Sequence, residues 1–368
     1  MAKNKVKVII TVVCVVGIAL VSWSMADTLA KGDYNALGLA AYEEGNYDKA
    51  IEYHTKAIQS DTRNALGYHN RGLTYYRMGT WWESREPFHE AISDFTKAIE
   101  LDAEFVDAYY NRGLARCRLF HFYSKSFPDE PWWGKDFDQY RKALADFDRV
   151  LELDSMYVLA HIGKGLAYYH NGQLDEAVEE YTKALGAESL ILEEAGEKGL
   201  AEAYAGRGRV YREQKEFDKS ILDYGKALEL NPKWAWALRP QAANYAALGQ
   251  LDKSLGHWNR LVDLIETDPE FVDEFAFFEY LSRGMLYYRM QEYSKAILDF
   301  DKLIGFKTDF MMMGKNFYVE AHKFVGLIYS QTGDSERARE YLEKALELAQ
   351  DRGLDKTAQA VEELLNEL

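Results

Sequence analysis

The sequence predicts an all-α fold: a solenoid of about eight stacked helical hairpins, closed by a C-terminal capping helix. Three observations predict it. Apolar residues fall in paired helical stripes, clearest from Ala201 to Trp234. There Tyr204, Gly208 and Tyr211 mark one helix, and Ile221, Tyr224, Ala227 and Leu228 mark a second. The pattern returns along the chain at intervals of about 34 residues. Small residues, Gly208 and Ala227, stand where the two helices would cross, so the backbones can approach. A lone hairpin of this kind cannot bury its apolar face, so neighbouring copies must complete the core.

The chain begins with Lys3, Lys5 and Lys7, followed by an uncharged run from Val8 to Ala26. Ser24-Met25-Ala26 offers small residues of the kind read by a signal peptidase. The run is also close to the length of about 20 residues that spans a bilayer as a helix. Residues 1–26 are therefore expected to be a signal peptide or a membrane-anchor helix. In both cases the lysines stay cytoplasmic, and the repeats lie outside the cytoplasm. The expected location is the cell membrane with a single N-terminal anchor, or a secreted or periplasmic protein if the segment is cleaved. Residues 27–34 form a short polar connector.

The hairpin copies follow in order. They cover 31–64, 65–105, 106–157 and 158–191, then 201–234, 235–268, 277–310 and 319–352. In the clearest copy, Gln214-Lys215-Glu216 makes the polar turn, Asp218 is placed to cap the second helix, and Pro232 ends the unit. The second copy carries extra residues around Thr80 to Pro87, and the third from roughly Phe120 to Phe137. Both insertions are expected in the turn between a copy's two helices. Leu192 to Ala195 and Glu270 to Asp273 read as helix extensions between copies. Gly353 to Leu368 reads as the capping helix, with Ala358, Val361, Leu364 and Leu365 inward.

The spacing, with glycine or alanine at Gly72, Ala91, Ala98, Gly165, Ala177, Ala184, Gly208 and Ala227 and rings at Tyr75, Phe95, Tyr168, Tyr181, Tyr211 and Tyr224, resembles the tetratricopeptide repeat. The resemblance covers nearly everything after Lys31. It implies a right-handed α-α superhelix whose inner groove binds protein partners. Only Pro232 keeps the closing proline, and the third and sixth copies depart most from the pattern. Some members hold chaperone C-terminal carboxylates with a lysine and asparagine pair on the first helix. Asn35 and Leu39 stand there in the first copy, so that clamp is not carried over.

One charge pattern is written into the copies themselves. A basic residue precedes the small first-helix glycine at Arg71, Arg112, Lys164, Arg207 and Arg283. In the same copies an acid stands one place before the large residue of the second helix: Asp94, Asp146, Glu180, Asp223 and Asp299. Where the base is replaced by Leu37, Gln241 or Val325, the acid is replaced by Tyr53, His257 or Tyr341. The co-occurrence predicts salt bridges inside each hairpin, with forked Arg-to-carboxylate geometry.

In this family the first-helix stripe beside the packing stripe lines the groove. Here it carries Tyr76, Arg77, Tyr110, Arg118, Tyr169, Arg209, Arg212, Arg239, Met285, Tyr288 and Arg289. Tyr and Arg are typical anchors at interfaces, so the groove is expected to take an acidic peptide or partner helix. A second candidate is an edge patch of Trp81, Trp82, Trp132 and Trp133 on the two insertions. It would suit a protein, a bilayer surface, or a glycan or envelope polymer, or the rings would fold back over their own loops.

Composition narrows the remaining classes. The net charge of −16 argues against non-specific nucleic-acid binding. Cys14 lies in the apolar run and leaves Cys117 without a disulfide partner within the repeats. The histidines are scattered, no HExxH or CxxC motif occurs, and no glycine-rich phosphate loop follows a strand pattern. Met311-Met312-Met313 reads as apolar filling. No cofactor, metal or catalytic residue is expected. The expected function is a non-catalytic protein-interaction scaffold or assembly factor.

Overall fold

The structure is a computed structural model and describes residues 33–79, 85–126, 133–268, 276–305 and 315–368. The N-terminal apolar run, Trp81, Trp82, Trp132, Glu270 to Asp273 and Met311 to Met313 lie outside the described residues. Among the described residues there are seventeen helices and no strand. No helix among them is long and apolar enough to cross a membrane.

The chain divides into two compact units between Glu194 and Ala195. The first contains four hairpins: α1 (Tyr34–Glu43) with α2 (Tyr47–Ser60), α3 (Ala65–Met78) with α4 (Glu86–Leu101), α5 (Val106–Ser126) with α6 (Trp133–Leu153), and α7 (Leu159–His170) with α8 (Leu174–Leu185). The helical run α9 (Glu188–Glu213) is broken at Gly196, whose φ of 65° and ψ of −168° are open essentially to glycine alone. Leu192 to Ala195 therefore extend a helix, as expected, and that helix stops one residue later. The second unit pairs the rest of α9 with α10 (Phe217–Leu230). It continues with α11 (Ala235–Ala247) and α12 (Leu251–Thr267), α13 (Ala276–Arg289) and α14 (Tyr293–Gly305), then α15 (Lys315–Gln331) and α16 (Ser335–Asp351). It ends on α17 (Asp355–Asn366), which buries Ala358 and Val361 and half-buries Leu364 and Leu365.

Two expectations need correction. Asp218 does not cap α10: Glu216 holds the cap position, makes no side-chain cap bond, and Asp218 lies inside the first turn. There its charge favours the positive end of the helix dipole instead. Side-chain caps are made elsewhere, by Asp33, Asn46, Asn64 and Asp334. The third copy's insertion is also mostly not a loop. α5 runs on to Ser126 and α6 begins at Trp133, so the extra residues lengthen both helices.

One packing rule repeats through both units. A first-helix glycine faces the large side chain of the second helix: Gly72 with Phe95, Gly113 with Phe147, Gly165 with Tyr181, Gly208 with Tyr224, Gly284 with Phe300, Gly326 with Leu342. A Cβ on Gly113 would stand 2.7 Å from the Phe147 ring. The next hairpin closes on the same ring, since a Cβ on Gly163 would stand 2.5 Å from it. The Phe147 ring is thus shared by two hairpins, which is why a single copy cannot hold its own interior.

The first hairpin breaks the rule. His54 occupies the ring position against Gly38, fully buried, with neither ring nitrogen hydrogen-bonded. Burial, with Arg71 and His69 nearby, lowers its pKa from 6.5 to about 4. The folded state therefore holds neutral imidazole while the unfolded chain protonates near pH 6.5. Stability is complete above that value and is lost as pH falls toward 4. Between pH 7.5 and 5 the unfolding free energy should drop by about 2 kcal/mol through this residue. Denaturant unfolding at the two pH values should show that part of the drop vanish in His54→Leu.

Candidate functional site

The first-helix faces are set by the hairpin clamps. Arg71 forks onto Asp94 with two hydrogen bonds of 2.8 Å. Arg207 does so onto Asp223 at 2.7 and 2.8 Å, and Arg283 onto Asp299 at 2.8 and 2.7 Å. Arg112 reaches Asp146 at 2.7 Å. The four acids are buried, and hydrogen bonding to them raises Arg71 and Arg207 above the ordinary arginine value. The expected intra-hairpin pairs therefore form in these copies.

The fifth pair is looser. Lys164 lies 3.8 Å from Glu180 and 2.9 Å from Asp148. Glu180 instead accepts from His161 Nδ1 at 2.7 Å and from Lys183 at 2.9 Å. Burial pushes the Glu180 carboxyl up, but His161, Lys183 and Lys164 outweigh it and hold it at about 2. A lysine point charge cannot fork, so the histidine takes the aligned lone pair.

The sequence reading missed what the arginines do with their remaining nitrogens. Arg71 Nη1 donates to Thr55 at 3.1 Å, Arg112 Nη1 to Thr96 at 3.2 Å, and Arg283 Nη1 to Asn259 at 3.1 Å. Each acceptor lies on the second helix of the preceding hairpin, so one guanidinium joins two hairpins. Arg116 was also missed. It stands where other copies have Tyr75, Tyr168, Tyr211 or Tyr287, and joins Arg112 on Asp146.

The groove candidates separate by surroundings. In the first unit Arg77 donates to the Tyr42 hydroxyl at 2.8 Å and Arg118 to the Tyr76 hydroxyl at 3.2 Å. Tyr76 also meets Phe88 edge-on at 5.9 Å. These bonds tie each first helix to the next. Tyr110 lies 5.3 Å from Tyr157 and 6.0 Å from Phe147, and Tyr169 lies edge-on to His170. In the second unit Gln331 donates to the Tyr288 hydroxyl at 2.7 Å, and Tyr288 meets Phe324 edge-on at 5.3 Å. Arg239 ion-pairs with the fully buried Glu279. Arg209 is half-buried, while Arg212 and Arg289 are exposed. The stripe is thus a surface of tyrosine rings and arginines, several already engaged between adjacent first helices.

Trp133 opens α6, while the other three residues of the tryptophan patch fall outside the described residues. Among the described residues no group of three or more His, Cys, Asp or Glu side chains could hold a metal ion. Cys117 is buried, which pushes its thiol up to about 12 and leaves it unreactive at neutral pH.

Models of the tetratricopeptide repeat match residues 38–79, 136–189, 201–233 and 321–352. The Hsp70-Hsp90 organizing protein of Triticum aestivum is 25% identical over 260 residues, covering 71% of this chain and 38% of its own length. Hsp70-Hsp90 organizing protein 3 of Arabidopsis thaliana is 23% identical over 272 residues, covering 74% and 41%. The chain thus spans about two fifths of the length of these curated relatives. The crystal structure of PilW, a widely conserved type IV pilus biogenesis factor, matches with a TM-score of 0.50 at 16% identity, over 64% of this chain and 94% of that one.

Proposed function

Because the chain is a tetratricopeptide-repeat protein, we propose that it is a non-catalytic scaffold or assembly factor. It holds a peptide or helical segment of a partner protein on the faces of its first helices. The observation that carries this reading is the exposure of Arg212 and Arg289 beside tyrosine and aliphatic side chains, on a chain whose net charge is −16. Such a face favours an acidic partner through charge complementarity and offers rings as anchors.

The relatives support the class of function, since two are named as organising other proteins and one structural neighbour as a biogenesis factor. They do not supply the partner. The lysine-flanked apolar run at the N-terminus supports delivery of the repeats outside the cytoplasm, anchored or released. The partner is therefore an extracytoplasmic protein.

Reversing Arg209 and Arg212 to glutamate should weaken partner capture at least about tenfold, since both sit on the partner-facing stripe. Pull-down from native membranes, with the circular dichroism of the variant unchanged, checks this. Undiminished capture would remove the groove reading.

A further inference from the structure

We propose that the second unit carries an anchor site for an extended acidic peptide with one bulky apolar side chain, built from Trp236, Phe278, Met285 and Arg289 with Arg212 on its flank. The proposal rests on the groove reading and gives it a location and a ligand chemistry. Its apolar part is exposed: Trp236 is 66% exposed, Phe278 37% and Met285 38%. Single exposed apolar residues need no explanation, but Phe278 and Met285 lie on one helix face and Trp236 on the preceding first helix. Phe278, Met285 and Arg289 follow one another at helical spacing and share one stripe of α13.

Arg239 on α11 fixes the neighbouring helix. Its guanidinium pairs with Glu279, the residue next to Phe278, and lies 6.0 Å from the Trp236 ring. That bond joins the N-terminal half of α11 to that of α13, and the Phe278 ring lies edge-on to Trp258 at 5.9 Å and to Phe317 at 6.2 Å. Beyond Trp236 the same stripe of α11 continues with the small side chains of Ala243 and Ala247. Trp236 and Phe278 thus supply exposed apolar surface near the N-terminal ends of two successive first helices.

Charge identifies the occupant. Arg239 is already neutralised by Glu279. Arg289 and Arg212 are exposed, and neither has an ion-pair partner among the described residues. The first helices of the second unit therefore present apolar surface toward one end and unneutralised positive charge at the other. From Phe278 to Arg289 the helix rises about 16 Å. An extended chain covers that distance in about five residues. The matching ligand has a large apolar side chain and a carboxylate about five residues apart.

The test is an array of synthetic peptides carrying one tryptophan or leucine and a pair of glutamates, separated by about one to nine glycine-serine residues, probed with the full chain. Binding should peak at a separation near five. Trp236→Ala and Arg289→Glu should each weaken it at least tenfold, and Arg289→Glu should favour peptides with lysine in place of glutamate. Leu298→Ala, which removes a side chain 66% exposed on α14, should leave binding unchanged. Array binding indifferent to Trp236 and Arg289 but lost on substituting Tyr76 and Arg118 overturns this site while leaving the groove reading. Binding indifferent to every first-helix substitution overturns both. No binding to any array peptide overturns the anchor site alone, because the native pull-down tests the groove reading separately.

Discussion

Phe147→Ala is expected to destabilise the first unit by about 3–5 kcal/mol, the range for emptying a large buried ring site. Phe147 is fully buried, and its ring is pressed between glycines on two successive first helices, Gly113 and Gly163. The cavity cannot collapse easily, because both walls are helix backbone held by other hairpins. Loss should therefore sit at the upper end of that range and should loosen the junction between the third and fourth hairpins together. Denaturant unfolding gives the energy. Limited proteolysis should locate the first cuts between Val106 and His170. Leu298→Ala, a truncation at an exposed site, should stay within about 0.5 kcal/mol of the parent. A Phe147→Ala loss under about 1 kcal/mol would mean that the hairpins do not share this ring.

Asp223→Ala is the second large effect expected. It leaves the Arg207 guanidinium, mostly buried, without the carboxylate that takes two of its hydrogen bonds. Removing one partner of such a pair costs about 3 kcal/mol or more, whereas an exposed pair contributes about 0–1 kcal/mol. Asp148→Ala supplies the exposed comparison, since Asp148 is 56% exposed where it meets Lys164. Replacing both Arg207 and Asp223 with apolar residues should recover much of the loss, because no charge is then stranded. Chemical unfolding of the two single variants and the double variant measures the coupling. Equal small losses at Asp223 and Asp148 would show that the clamps are surface ornaments rather than parts of the interior.

The fold was legible because the same hairpin is written repeatedly. The spacing of Gly208, Tyr224 and Ala227 is enough to place a crossing, and the covariation of Arg207 with Asp223 is enough to pair them. Three features were not legible, each for a physical reason. The second bond of Arg71, to Thr55, depends on how one hairpin lies across the next, which no single copy reveals. The preference of Glu180 for His161 over Lys164 turns on about an ångström of side-chain reach, 2.7 Å against 3.8 Å. The burial of His54 at a ring position was hidden because a histidine reads as polar in a hydropathy pattern, although here it takes the place that a phenylalanine or tyrosine holds in other copies.

The candidate site was legible in part. The stripe of tyrosine and arginine was evident, but not which members were already engaged. Tyr42, Tyr76 and Tyr288 accept hydrogen bonds from the following first helix, so they stiffen the face as well as line it. Trp236 went unnoticed as an anchor because it stands one turn before the stripe that the resemblance marks, and only its exposure sets it apart.

Photo-crosslinking in cells tests the central claim most directly, with a photoreactive side chain placed at Ala243 on a first helix or at Leu298 on a second. The expected result is a discrete adduct with a partner protein from Ala243 and none from Leu298. Adducts from Leu298 with none from Ala243 would place recognition on the opposite face and contradict the account.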